Sequence, residues 1–160
     1  MKSTWLVVAA LFLIPACASA PKIDYYTLDM THSGHAPSQV NVKIERLQTS
    51  EALSRSQILI QSSPTTVEYY ATDRWAGGIG ELVQQKLTAE FGELSGGARS
   101  FILSGVIVSF GQVEKPNGSL ARAELRVSIR DGAAKRYEEP VIEKTYLATR
   151  PLGNAGPNSV

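Results

Sequence analysis

The chain carries one cysteine, Cys17, and two histidines, His32 and His35, among its 160 residues. A single thiol makes no intramolecular disulfide, so the fold must stand on its apolar core alone. The histidines form a pair at i and i+3 in a loop, at most half a metal site, because zinc takes at least three protein ligands. A solvated pair is the simpler reading. A charge excess is missing as well: 16 basic residues stand against 15 acidic ones, which argues against charge-driven binding to nucleic acid or to an anionic lipid surface. No apolar run approaches the ~20 residues that cross a bilayer as a helix. No internal repeat and no G-x-S-x-G elbow occur, and a Ser-His-Asp triad would have to draw on His32 or His35. Gly77-Gly78-Ile79-Gly80 lacks the Lys-Ser/Thr ending of a phosphate loop and the spacing of a dinucleotide fingerprint. It reads instead as close packing of backbone against a neighbour. Glu138 and Glu139 are adjacent, so on a strand they point to opposite faces and make no acid/base pair. The sequence shows no active site, and the chain is read as a non-enzyme without metal or cofactor.

What is present begins at the N-terminus. Lys2, an apolar run over residues 5–14 and small residues beyond it have the anatomy of a secretory signal. Ile14-Pro15-Ala16-Cys17 resembles the lipobox of bacterial lipoproteins. In that reading residues 1–16 are removed and Cys17 becomes a lipidated N-terminus, the covalent lipid (palmitate among its acyl chains) being the only attached group. More than one acyl chain is enough for stable anchoring where one is not. The alternative is plain secretion with cleavage after Ala20, which places an unfavourable Pro21 after the cut. Ala18 and Ser19 follow Cys17 where an aspartate commonly marks inner-membrane retention, so the pattern resembles outer-membrane sorting, facing the periplasm.

The rest is one domain's worth of chain. With 43% hydrophobic and 19% charged residues, it can bury a core and is not disordered by composition. Residues 17–23 read as a lipidated tether, 24–150 as the folded domain and 151–160 as a flexible, turn-rich tail. Residues 24–29 form a short strand and 31–38 a loop. Val40, Val42 and Ile44 alternate with polar residues as a half-buried strand does. A helical turn is expected over 51–56, then a hairpin of 57–61 with 66–70 around Ser62-Ser63-Pro64. The main helix is predicted to start at Thr72 or Asp73, either of which can cap it. Trp75, Ile79, Leu82, Val83, Leu87, Phe91 and Leu94 then share one face, and Gly96-Gly97 ends it. Residues 100–110 are apolar on both alternating sets and predict a central strand covered on both faces. Pro116-Asn117-Gly118 predicts a turn. Ala123, Leu125, Val127 and Ile129 alternate with Arg122, Glu124, Arg126 and Ser128 as a clear amphipathic strand, and 141–148 returns as the last. The fold class expected is α+β, a largely antiparallel sheet with one main amphipathic helix across it.

Two tyrosine pairs, Tyr25-Tyr26 and Tyr69-Tyr70, read first as ordinary strand tyrosines and second as interface residues, where one end is apolar and the other wet. Together with the lipobox they carry a resemblance. Cys17, Tyr25-Tyr26-Thr27-Leu28, the strand from Arg55 to Ile60, and Arg74-Trp75-Ala76 leading to Leu82 and Leu87 follow one another as in the PqiC-like ABC-type transport auxiliary lipoproteins. The likeness runs over residues 10–148. The resemblance implies a non-catalytic lipoprotein that works with an MCE-domain periplasmic protein and an ABC-type or related permease in lipid transport between the two membranes. It implies a tethering or docking role, with Arg74, Trp75, Tyr69 and Tyr70 as the candidate partner-binding residues. Family members commonly carry a further C-terminal helix, where this chain ends in Pro151-Leu152-Gly153-Asn154-Ala155-Gly156-Pro157; a homo-oligomer is left open on that account. Two other readings stand beside it. One is a periplasmic lipid-binding carrier without a stable transporter complex, which needs an apolar cavity between helix and sheet. The other is an envelope enzyme, for which no acid/base or nucleophile constellation is present.

Overall fold

The structure, a computed structural model, describes residues 20–30, 40–91, 99–135 and 138–153. Within them the chain forms β1 (Asp24–Tyr26), β2 (Val40–Ile44), β3 (Gln48–Thr49), a 3-10 turn (Glu51–Leu53), β4 (Gln57–Gln61), β5 (Val67–Trp75), α1 (Ile79–Phe91), β6 (Arg99–Lys115), β7 (Gly118–Asp131) and β8 (Ile142–Pro151). All eight strands belong to one sheet. Cys17, the histidine pair and residues 92–98, with the expected helix end, lie outside the described residues.

The sheet is built around β6, which is long enough to pair with four strands. Along one edge it takes β2, β3 and β4 in turn, all parallel, and along the other it pairs antiparallel with β7 over nearly its whole length. β5 adds to β4 antiparallel, β1 to β5 parallel, and β8 to β7 antiparallel. The α+β class therefore stands, while the expectation of a largely antiparallel sheet is corrected to a mixed one. The hairpins β4–β5 and β6–β7 were visible in their turns. The parallel pairs join segments far apart in sequence, and no local signal marks such a pairing.

One layer covers one side. Ile79, Leu82 and Val83 of α1 pack with Ile44, Leu47, Leu53, Leu103, Ile107 and Val127. Ile79 and Ile107 are the most deeply buried large side chains. Gly80 lets the helix press on the chain between β2 and β3: a Cβ there would lie 2.9 Å from the Leu47 carbonyl oxygen. The close packing expected of the glycine-rich segment is thus found at Gly80. Gly78 has open space around it.

Three expectations are corrected here. The helix begins at Ile79, where Glu81 and Leu82 both donate their amides to the Gly78 carbonyl, and not at Thr72 or Asp73. Trp75 is the last residue of β5, and its helical spacing from Ile79 and Leu82 is a coincidence of sequence; Gly77-Gly78 separates the two elements. Among the described residues, strand β6 is buried on one face as far as Ile107 and, past the bulge, on the other face at Val113. A bulge at Val108 shifts its register against β7, so Leu103 and Ile107 face the helix before the shift and Phe110 after it. That switch makes both alternating sets look apolar. On the other face Ile102 and Val106 lie beside Arg130 and Arg126 across the ladder, whose aliphatic stems can shield them, and Val108 is exposed.

Candidate functional site

Beyond the reach of α1, strands β1, β4, β5, β6, β7 and β8 enclose a cleft of about 490 Å³. Its floor is low because the residues there are small. Ala123 pairs with Phe110 on β6 and with Ala148 on β8, and Ala121 pairs with Gln112 and Arg150. The next residue on this face of β7, Leu125, instead packs into the core. One wall is aromatic: the Trp75 ring meets Phe110 edge-on, with centroids 5.4 Å apart and planes at 69°. Leu28, Ile58 and Leu152 add to the apolar lining.

An irregularity in β5 creates that wall. Leu59 of β4 pairs with Tyr69 but Gln57 pairs with Arg74, so three extra residues of β5 are taken up between the two contacts. The bulge changes which side chains face the same way, and both Tyr70 and Trp75 line the cleft. Asp73, within the bulge, accepts hydrogen bonds from the Tyr26 hydroxyl at 2.8 Å and from Thr72 Oγ1 at 3.1 Å. The residue expected to cap a helix therefore ties β5 to β1.

The rim is polar. The Tyr70 hydroxyl donates to Gln112 Oε1, and Gln112 Nε2 donates to Ser119 Oγ at 3.3 Å. Burial first, then the negative charges of Asp73 and Glu114, raises the Tyr70 pKa above its ordinary value. Arg122 is paired with Glu124. Asp29 and Arg150 also line the cleft; both are exposed, and neither makes an ion pair or side-chain hydrogen bond among the described residues.

The four residues nominated from sequence divide between two surroundings. Trp75 and Tyr70 belong to the cleft. Tyr69 turns away from it, donating its hydroxyl to the Ala52 carbonyl at 3.0 Å beneath the Arg55 guanidinium, which stands 4.8 Å from the ring centroid. Arg74 is half-buried beside Gln57, and its Nε is buried with no partner among the described residues. Sequence reasoning missed Asp29, Arg150 and the alanine floor. The signal available was weak, namely alanine at two successive inward positions of the otherwise bulky β7 pattern. Among the described residues no group of three His, Cys, Asp or Glu gathers to hold a metal, and no helix is long and apolar enough to cross a membrane.

The family profile of ABC-type transport auxiliary lipoprotein components matches residues 26–131. The chain belongs to this family. The matched span runs from the end of β1 to the end of β7, so it takes in the helix, the bulged β5 and most of the cleft. The resemblance drawn from the tyrosine, arginine and tryptophan motifs is thereby borne out. As an ABC-type transport auxiliary lipoprotein, the chain is a transport-associated accessory of the cell envelope. The fold has solved counterparts. A crystal structure of a Xanthomonas campestris protein of the DUF330 family superposes with a TM-score of 0.71 at 17% identity, covering 86% of this chain and 82% of that one. An uncharacterized protein superposes with a TM-score of 0.65 at 11% identity, covering 87% and 86%. At such identities the likeness speaks for the fold alone. Among curated proteins none matches in sequence.

Proposed function

We propose that this auxiliary lipoprotein is a non-catalytic adaptor, held by lipid on Cys17 in the outer membrane with its domain facing the periplasm. There it docks an MCE-domain protein that works with an ABC-type or related permease in moving lipid between membranes. The match over residues 26–131 to a transport auxiliary lipoprotein carries this reading. The surface supports it in kind. Strand β8 is exposed along its whole length on both faces, with Ile142, Tyr146 and Leu147 about half accessible, and its outer edge has no strand partner among the described residues. Tyr69, Tyr70, Arg74 and Trp75 enter as contact residues only through what they leave accessible, since all four are half-buried.

The test is in-cell crosslinking of the full-length, membrane-extracted protein, followed by affinity recovery and mass spectrometry. The expected result is an MCE-domain protein among the recovered chains. Recovery of abundant lipoprotein without any transport component sinks the adaptor reading. Cys17→Ser is expected to release the protein from the membrane fraction, and its retention there would contradict lipid anchoring at that residue.

A further inference from the structure

The cleft has a composition that docking alone does not require. Its interior is apolar and aromatic, from Leu28, Ile58, Trp75 and Phe110 over an alanine floor, while its rim carries charges of both signs. A cavity of about 490 Å³ lies within the range of small-molecule sites, roughly 300–1,000 Å³. At about 30 Å³ for a water-sized group, this is on the order of sixteen such groups, the scale of one acyl chain.

Asp29 and Arg150 limit what the polar end can be. Each lines the cleft and each lacks an ion-pair partner among the described residues. They are not paired with each other, so both charges are left to a ligand that enters the cleft. An anionic head group would gain Arg150 but meet Asp29 unfavourably, and a cationic one the reverse. A head group carrying both charges satisfies both. We infer that the cleft is a binding site for a single-tailed portion of a zwitterionic amphiphile, its apolar chain against Trp75 and Phe110 and its head group between Arg150 and Asp29. This goes beyond the adaptor reading and does not depend on it.

The test uses the full-length, membrane-extracted protein mixed with phosphatidylcholine vesicles that contain phosphatidylethanolamine bearing a photoreactive diazirine on one acyl chain. After irradiation, labelled peptides are mapped by mass spectrometry. Label is expected on the peptides containing Trp75, Phe110 and Ala123. Ala123→Phe, which places a ring directly across from Phe110, is expected to abolish it. Because that change can disturb packing, Arg150→Gln at the exposed rim is the second variant. It should fold normally by circular dichroism and reduce cleft labelling about two- to fivefold, the loss an exposed charge contact carries. A phosphatidylglycerol probe with the same diazirine chain should label the cleft less than the zwitterionic one.

Label confined to other surfaces, or cleft label unchanged in both variants, overturns the site. Equal labelling by the two probes overturns the head-group assignment. A partner protein crosslinked at the cleft peptides in place of lipid overturns the ligand class. The adaptor reading fails separately, by absence of a transport component in the affinity recovery, whatever the vesicle label shows.

Discussion

At the residue scale, two positions hold more than their size suggests. Gly111 has φ +153, and a Cβ on it would run into the Leu59 carbonyl, where β4 joins β6. Both the backbone conformation and the space demand glycine. Gly111→Ala is therefore expected to cost about 2 kcal/mol or more, read as a lower midpoint in denaturant unfolding. An unchanged midpoint would mean that β4 and β6 separate freely there. Tyr70 offers a check on the cleft's polar rim. Its pKa is raised above the ordinary 10.0, chiefly by burial, so the folded state favours the protonated hydroxyl that donates to Gln112. A group whose pKa is raised by folding contributes stability that is fully present below its unfolded pKa and is lost as pH rises through the folded one. Stability is thus expected to fall above about pH 10 more steeply in the wild type than in Tyr70→Phe. Parallel pH profiles of the two would refute this.

At the scale of elements, the sheet divides into a packed part and an open part. Ile107 of β6 and Ile79 of α1 are each 1% exposed, so truncating either to alanine leaves a void in the core. The expected loss is about 2–5 kcal/mol for each. Leu147 on β8 is 59% exposed, and Leu147→Ser should stay within about 0.5 kcal/mol of the parent. A large loss there in the isolated protein would show that β8 is covered after all. Chain-local features were legible at this scale. The β4–β5 and β6–β7 turns, the 3-10 turn and the amphipathic β7 all follow from short stretches of sequence. Trp75 reads as helical in the sequence because helical and bulged-strand arrangements can place the same apolar residues at the same spacing, and periodicity alone cannot tell them apart. The two-faced look of β6 has a similar cause in the bulge at Val108.

At the scale of the molecule, α1 covers part of one face, and beyond it, among the described residues, the sheet is hollowed into a cleft bordered by six strands. This asymmetry sets the two experiments apart. Recovery of a transport partner probes the open surface around β8, and lipid labelling probes the cleft. A Leu147→Glu variant is expected to weaken partner recovery without lowering cleft labelling. Loss of both together would mean that one surface serves both roles.

What the sequence determined by itself was the family, the α+β class, the hairpins and most of the core. Those rest on ordered local motifs and on alternation within single elements, which a chain displays before it folds. Only the tertiary structure decided the parallel pairings onto β6, the strand ending of Trp75 and the cleft with Asp29 and Arg150 on its rim. Asp29 and Arg150 stand 121 positions apart in the chain, and Ala123 becomes a cleft floor only because Phe110 and Ala148 are placed on either side of it. Contacts of that kind have no signature in any short stretch of sequence, since they exist only once the sheet has closed around them.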